Sequence, residues 1–190
     1  MNLLPYLFLV FIISGCAPMK TLYYSPVISG ELSQSRSGCG GPKDKVRIDL
    51  LDDVYIQVRL KPYLIDEFSI HLSIYIPKDS NLKFESERFS LNSEWSTTAN
   101  VKYIQKLIFD QDSTHGLKVL KLEPTTLLTN LDLDGNNDYE WYTVYFELIL
   151  KTENKIKLIF PKYKINNRLG TPIEIDFVLS EGTFIYPVNC

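Results

Sequence analysis

Three aromatic side chains in the sequence are spaced so that they could form a binding surface. Tyr139, Trp141 and Tyr145 occupy positions i, i+2 and i+6 of a long apolar segment. On a β-strand these positions project from the same face. Such a face could stack on sugar rings or accept the anchor residues of a partner protein. We expect instead that the three side chains fill a hydrophobic core, because large exposed apolar patches are rare on soluble domains, and the binding surface is the alternative.

An acidic turn precedes that segment and offers oxygen ligands for a hard cation such as Ca²⁺. Its oxygen-bearing side chains are Asp132, Asp134, Asn136 and Asp138, and Gly135 permits tight curvature. The spacing partly resembles an EF-hand loop. However, Asn137 stands where that loop has its glycine, and Thr143 stands where it has its bidentate glutamate. A polar turn that leads into the strand explains the same residues, so no metal centre is predicted and calcium remains an alternative.

Residue types used in catalysis are present, but they are not arranged as catalytic groups usually are. His71 lies on the polar face of an alternating segment and His115 in a Ser-Thr-His-Gly loop, neither with a second ligand at metal-binding spacing. No G-x-S-x-G motif occurs, and neighbouring carboxylates such as Asp52 and Asp53 are typical of solvated turns. The sequence predicts a protein that is not an enzyme and needs no cofactor. An envelope hydrolase, whose separated side chains would have to converge in a cleft, is a less favoured alternative.

The segments that would position these residues alternate between apolar and polar side chains. In Val54–Leu60 the apolar side chains point one way, and Tyr55, Gln57 and Arg59 point the other way. Phe68–Ile76 alternates similarly, and Tyr139–Leu150 is apolar on both faces. Further strands are predicted at residues 82–84, 89–91, 117–122, 156–160 and 173–179. The spacing of apolar residues in 101–108 fits either a short helix or a strand.

Composition also favours β-structure. The chain contains 12 Tyr and 10 Phe, whereas Ala occurs only at positions 17 and 99. About eight to ten short strands, separated by Pro, Asn, Asp and Gly turns, predict an all-β fold. We expect an antiparallel β-sandwich of the immunoglobulin-like, Greek-key type, with a β-barrel as the alternative. The length of 190 residues fits a single domain. The net charge of −3 excludes a basic nucleic-acid-binding protein.

The first 15 residues form a separate unit. Leu3–Ile13 is an uncharged apolar run that is too short to span a bilayer core of about 30 Å. It has the length of a signal-peptide core and leads into Ile13-Ser14-Gly15-Cys16. This tetrapeptide resembles the lipobox of bacterial lipoproteins. The resemblance implies cleavage before Cys16, acylation of that cysteine on its sulfur and its amine, and anchoring of the mature chain in a membrane.

These features predict three regions: a signal peptide in residues 1–15, a lipidated N-terminus and tether in 16–26, and one β domain in 27–190. Ala17 stands where lipoproteins retained in the inner membrane carry Asp. The resemblance therefore implies the outer membrane, on the side facing the periplasm. Two cysteines remain, Cys39 and Cys190, and export to an oxidising compartment favours a disulfide between them over two free thiols.

Function is predicted less closely than location. We expect a membrane-anchored lipoprotein that acts as a non-enzymatic binding or scaffolding module of the cell envelope, with an envelope protein or glycan as its partner. The alternative is a carbohydrate- or peptidoglycan-binding module that uses Tyr139, Trp141 and Tyr145.

Overall fold

A computed structural model describes residues 18–27, 32–36, 40–64, 67–92, 97–109, 117–128, 131 and 139–185. These residues form strands, connecting turns and two short 3-10 segments, Leu51–Asp53 and Pro124–Leu128. The strands are β1 (Pro18–Pro26), β2 (Leu32–Ser35), β3 (Lys45–Asp49), β4 (Tyr55–Leu64), β5 (Glu67–Pro77), β6 (Leu82–Phe84), β7 (Arg88–Asn92), β8 (Thr97–Phe109), β9 (Leu117–Leu122), β10 (Tyr139–Lys151), β11 (Lys155–Ile159), β12 (Tyr163–Ile165), β13 (Arg168–Leu169) and β14 (Glu174–Ile185).

Most of the strands belong to one antiparallel sheet, in the order β1-β14-β11-β7-β8-β10-β5-β4-β3-β2, with β9 paired to β8. The long strand β8 joins two parts of this sheet. Its residues 97–100 pair with β7, whereas residues 101–107 pair with β10 and residues 104–109 with β9. The sheet curves until β1 packs against β4 and β3. The result is a nearly closed barrel, which leaves few unpaired strand edges.

The core lies inside the curved sheet and is built from alternate residues of its strands. In β4, for example, Ile56 and Val58 are fully buried, while Tyr55 and Gln57 are partly exposed on the other face. The ring of Tyr24 on β1 meets Phe68 on β5 edge-on, with ring centroids 4.7 Å apart. This contact joins parts of the sheet that are far apart in strand order, so burial of apolar area holds the barrel closed.

A small three-stranded sheet, β13-β12-β6, adds buried side chains to the same core. The turns nearby contain non-glycine residues in the left-handed region, where Asp and Asn are tolerated best. These residues are Asp52, Asp53, Asp79, Asn166 and Asn167, with φ values of 55°, 58°, 66°, 49° and 64°. Asp52 accepts hydrogen bonds from the Asn166 amide, at 2.6 Å, and from Arg168. These bonds connect the turn before β4 with the β12–β13 turn.

The prediction of an all-β, antiparallel fold is confirmed. The nearly closed sheet agrees with the barrel alternative, and a two-sheet sandwich is not confirmed. Fourteen strands lie in the described residues, more than the eight to ten expected, because short strands such as β12 and β13 have too few residues to show alternation. Residues 101–108 belong to strand β8, which settles the choice between helix and strand.

The segment expected to be a tether needs a correction. Residues 18–26 form strand β1, which pairs along its whole length with β14 from Pro18↔Ile185 to Pro26↔Phe177. Tyr24 explains why it instead joins the sheet, because its ring is fully buried and gains the free energy of leaving water.

Candidate binding surface

Strand β10 places Trp141 and Tyr145 on the outer face of the barrel. Tyr142 and Val144 point into the core, with 2% and 0% of their surface exposed, whereas Trp141 and Tyr145 are partly exposed. The expected core filling therefore does not describe Trp141 and Tyr145, which lie on the face opposite the buried side chains. The backbone of Tyr139 pairs with Pro77, and the side chain of Tyr139 lies outside the described part of the structure.

Trp141 belongs to a row of aromatic side chains that crosses three strands. Tyr55 on β4 lies opposite Tyr75 on β5, and Tyr75 lies opposite Trp141 on β10. The two tyrosine rings stack with centroids 4.4 Å apart and 16° between their planes. The indole ring is nearly perpendicular to both, at 6.3 Å from each centroid. Tyr55, Tyr75 and Trp141 are termed the aromatic row, and the Arg47 guanidinium covers one end, 3.8 Å from the Tyr55 centroid.

A second aromatic pair lies four residues further along β10. Tyr103 on β8 and Tyr145 on β10 stack with centroids 4.5 Å apart and 18° between their planes. The Tyr145 hydroxyl donates a hydrogen bond to Oε1 of Gln105 at 2.8 Å, which fixes the ring orientation. His71 meets the Tyr145 ring edge-on at 6.2 Å, and Lys121 Nζ lies 4.7 Å from the Tyr103 centroid. This pair therefore has an imidazole on one side and a cationic ammonium group on the other.

A polar strip separates the aromatic row from the Tyr103–Tyr145 pair. It consists of the cross-strand neighbours Gln57, Ser73, Thr143 and Gln105. Ser73 and Thr143 are each 8% exposed, because the longer aromatic side chains beside them cover much of their surface. Hydroxyl and amide groups can both donate and accept hydrogen bonds. The outer face thus presents aromatic rings on either side of a strip that can bind the hydroxyl groups of a ligand.

Register irregularities in two strands open a concavity beside the Tyr103–Tyr145 pair. In β8, Lys102 is an extra residue between the partners of Tyr145 and Phe146. In β10, the pairing with β5 is interrupted between Tyr145 and Ile149. Such bulges redirect side chains and are common next to functional sites. The resulting bulge concavity has a volume of about 570 Å³, and its lining includes Lys61, His71, Lys102, Tyr103, Tyr145 and Glu147.

Positive charge is concentrated around the bulge concavity, although the chain as a whole carries a net charge of −3. Lys61 and Lys102 line it and form no ion pair with any described residue. Burial of the imidazole, followed by the positive charges of Lys61, Arg59 and Lys45, lowers the pKa of His71 from its ordinary value. Arg59 is partly neutralised by Asp44, whose Oδ2 lies 2.7 Å from Arg59 Nε.

A second concavity, of about 630 Å³, lies between β3 and the start of β14. Its lining is largely aliphatic, including Ile48 and Ile173. Both of its carboxylates already have cationic partners: Asp49 pairs with Arg47 at 2.6 Å and Glu174 with Lys157 at 3.2 Å. It therefore offers fewer available groups to a polar ligand than the bulge concavity does.

Several residues that the sequence singled out lie outside the described residues. They are Cys16, Cys39 and Cys190, together with the calcium candidates Asp132, Asp134, Asn136 and Asp138. Lipidation, the disulfide and calcium binding therefore remain predictions. Within the part of the chain that the structure describes, no three His, Cys, Asp or Glu side chains are grouped as metal ligands. The same residues contain no helix with the length and hydropathy needed to cross a bilayer.

The sequence placed individual residues on the outer face but did not bring them together. Tyr55, Gln57 and Arg59 were predicted to face away from the apolar side of their strand, and the structure confirms this. His71 also lies on the outer face, as its strand pattern predicted, but its imidazole is partly buried. Alternation alone could not reveal that β10 lies between β5 and β8. The strand order places Tyr75 beside Tyr55, and it places Trp141 beside Tyr75 and Tyr145 beside His71.

Comparison with known proteins assigns no function to this surface, because no family model, no curated protein and no solved structure matches the chain.

Proposed function

We propose that the protein is a membrane-anchored lipoprotein whose outer barrel face binds a glycan of the cell envelope without catalysing a reaction on it. The observation that carries this proposal is the aromatic row beside the polar strip. The C–H groups on the face of a sugar ring are apolar and weakly positive, so they pack favourably on the negative face of an aromatic ring. Tyr75 and Arg47 already cover the two faces of the Tyr55 ring, so the indole of Trp141 is the ring on which we expect the sugar to stack. The sugar hydroxyls can then bond to Gln57 and Gln105 in the polar strip.

The spacing of the surface favours a glycan over a protein partner. Neighbouring rows on one face of a strand are about 7 Å apart, so one sugar residue can contact a ring and a hydrogen-bonding group together. A protein partner would need on the order of 800 Å² of contact on each side, usually with apolar residues at its centre. Here the centre is the polar strip, with Ser73 and Thr143 at its middle. A scaffolding role with a protein partner is therefore the second candidate.

The position of β1 agrees with anchoring through Cys16. The strand begins at Pro18, two residues after that cysteine, and two residues reach at most about 7 Å. Met19 and Ile185, near this end of the β1–β14 pair, are 56% and 57% exposed. Exposed apolar side chains next to an acyl anchor can enter the membrane interface. We propose that the barrel sits directly on the bilayer, on the periplasmic face of an outer membrane.

Binding of a neutral oligosaccharide tests the proposal. In a Trp95→Phe background, Trp141 is the remaining tryptophan and its fluorescence reports on the aromatic row. We expect saturable fluorescence and calorimetric titrations with chitotetraose. Trp141→Ala should weaken binding at least about tenfold, since it removes a stacking face.

The matched control is Phe184→Ala. Phe184 is also a partly exposed aromatic with an edge contact, to Tyr23 at 5.5 Å, but it lies on β14, away from the aromatic row. Its removal should leave the affinity unchanged. Absence of binding in the parent protein, or equal affinity in Trp141→Ala, would refute the proposed glycan surface. Capture of a protein that is lost in Trp141→Ala, with no glycan binding, would favour the scaffolding role instead.

A further inference from the structure

We infer that the bulge concavity is a subsite for an acidic group, a carboxylate or phosphate carried by the saccharide that the outer face binds. This inference rests on the proposed glycan-binding function and adds the chemical class of the ligand. It is carried by the cavity, its bulged strands and the cationic side chains grouped around it.

Two strands contribute cations to the same cavity. Lys61 comes from β4 and Lys102 from β8, and β5 and β10 lie between these strands in the sheet. Neither ammonium group pairs with a carboxylate in the described residues. An anion bound in the cavity would be attracted to both ammonium groups. The extra residue in β8 is Lys102 itself, so the bulge places a cation where regular pairing would not.

Lys45 and Arg59, in a cross-strand row that ends at the cavity, supply further positive charge. Lys45, Arg59, His71 and Tyr145 are successive partners across β3, β4, β5 and β10. Asp44 neutralises part of the charge of Arg59. Glu147 is the acidic side chain of the cavity lining, and it is exposed to solvent. The lining therefore has more cationic than anionic groups, which suits an anion better than a neutral sugar.

The surroundings of the cavity favour an acidic saccharide over a lipid surface or a nucleic acid. The cavity is continuous with the Tyr103–Tyr145 pair, because both tyrosines line it. One ligand can therefore place a sugar ring at the aromatic pair and an acidic substituent among the lysines. A bilayer or a nucleic acid would need a broad basic surface, and the net charge of −3 opposes such contact.

Two tetrasaccharides that differ in charge provide the test. Calorimetry should show that hyaluronan tetrasaccharide, which has carboxylates, binds at least about tenfold more tightly than neutral chitotetraose at low salt. The difference should shrink as ionic strength rises, since salt screens exposed charges. In the double variant Lys61→Gln/Lys102→Gln, the affinity for the acidic ligand should fall to that for the neutral ligand, whose binding should not change.

The matched control is Lys83→Gln/Lys164→Gln. These two lysines are exposed cross-strand neighbours in the β6–β12 pair, so the variant loses the same charge away from the cavity. It should keep the full preference for the acidic ligand. Displacement of hyaluronan tetrasaccharide by glucuronic acid or by glucose 6-phosphate would show which acidic group binds better.

The outcomes separate the two proposals. Equal affinity for both tetrasaccharides, or an unchanged preference in Lys61→Gln/Lys102→Gln, would overturn the acidic subsite and leave the glycan surface standing. If neither tetrasaccharide binds, the glycan surface itself fails and the subsite fails with it.

Discussion

The phenol of Tyr24 is hydrogen-bonded twice to the backbone of Glu153, 129 residues further along the chain. Its hydroxyl donates to the carbonyl oxygen of Glu153 at 2.7 Å and accepts from the amide nitrogen of the same residue at 2.9 Å. Tyr24 itself is fully buried. One side chain of β1 therefore holds the turn between β10 and β11, which connects the start of the described chain to its last third.

Tyr24→Phe should destabilise the fold by about 1–3 kcal/mol, because two backbone groups of Glu153 lose their phenol partner while the ring and its packing are kept. Urea unfolding followed by circular dichroism measures the change. Tyr163→Phe is the control: Tyr163 is 3% exposed, but its hydroxyl forms no hydrogen bond to any described residue. An equal loss in both variants would show that the Tyr24–Glu153 bonds contribute nothing specific.

A buried ion pair lies on the inner face of the barrel. Lys106 Nζ is 2.5 Å from Glu140 Oε1, and the side chains are 10% and 3% exposed. The Tyr142 hydroxyl donates to the other carboxylate oxygen of Glu140. Removal of one charge from such a pair leaves the other poorly compensated in a low-dielectric interior.

We expect Glu140→Gln to cost on the order of 3 kcal/mol or more in unfolding free energy. The double variant Lys106→Met/Glu140→Leu should be more stable than Glu140→Gln, because it carries no buried charge. The control is Lys155→Met, which breaks the more exposed Lys155–Asp176 pair at 3.6 Å and should change stability by less than about 1 kcal/mol. A double variant less stable than Glu140→Gln would mean that the attraction between the two charges exceeds the free energy needed to bury them.

The sequence predicted the parts of the fold that depend on alternation. Strands β4 and β5 and their outward side chains followed from period-two patterns, since one face of each is buried. Strand β8 was ambiguous for a physical reason. Its bulge at Lys102 puts Val101 and Ile104 on the same inner face, and this three-residue spacing imitates a helix.

The candidate surface depended on relationships that no single segment contains. Tyr55 and Trp141 meet only because β5 lies between their strands in the sheet. The bulge concavity depends on an interruption in the register of β10. Polar residues that line it, such as Ser69, show no sequence pattern that distinguishes them from other strand residues. Strand order and register are set by the packing of the whole barrel, so local patterns cannot provide them.

The Asp52–Arg168 interaction should appear in the pH dependence of stability. The hydrogen bond from Arg168, followed by the bond from Asn166, lowers the pKa of Asp52 from its ordinary value. A lowered pKa means that the unfolded chain binds a proton more readily. The contribution is therefore present above about pH 4 and is lost as the pH falls through the pKa of the folded state.

Asp52→Asn should reduce the loss of stability between pH 5 and pH 2.5, measured by urea unfolding at each pH, because the substituted residue no longer titrates. Asn also tolerates the left-handed backbone at this position. Asp79→Asn is the matched control, since Asp79 has φ of 66° but forms no ion pair with a described residue. Parallel stability curves for the parent and Asp52→Asn would exclude a specific role for the Arg168 contact.

Anchoring through Cys16 predicts a change of location that can be measured in cells. We expect the parent chain to incorporate radiolabelled palmitate and to sediment with the membrane fraction. Cys16→Ser should lose the label and move to the soluble fraction or remain as an uncleaved precursor. Cys39→Ser serves as the control, because that cysteine is not at the predicted cleavage site. Palmitate labelling that survives in Cys16→Ser would contradict the proposal that the protein is a lipoprotein anchored through this residue.

Binding of an acidic saccharide should be linked to proton uptake by His71. Among the described residues, the charged and titratable groups around this imidazole lie on β3, β4, β8 and β10; they are Lys45, Arg59, Lys61, Lys102, Tyr103, Tyr145 and Glu147. Burial and the nearby cations lower the pKa of His71, so the ring of the free protein is largely neutral at pH 7. A bound carboxylate or phosphate places a negative charge near the imidazole and raises the pKa of His71. Proton uptake by the imidazole therefore strengthens binding as the pH falls.

We expect the affinity for hyaluronan tetrasaccharide to increase several-fold between pH 7.5 and pH 5.5, a range in which carboxylates stay ionised. Calorimetry in buffers of different ionisation enthalpy should detect a fraction of a proton taken up per ligand when binding is measured below pH 7. His71→Gln should lose both effects, whereas His115→Gln, which removes the other histidine of the chain, should keep them. Unchanged proton uptake in His71→Gln would place the titrating group elsewhere and refute the proposed linkage.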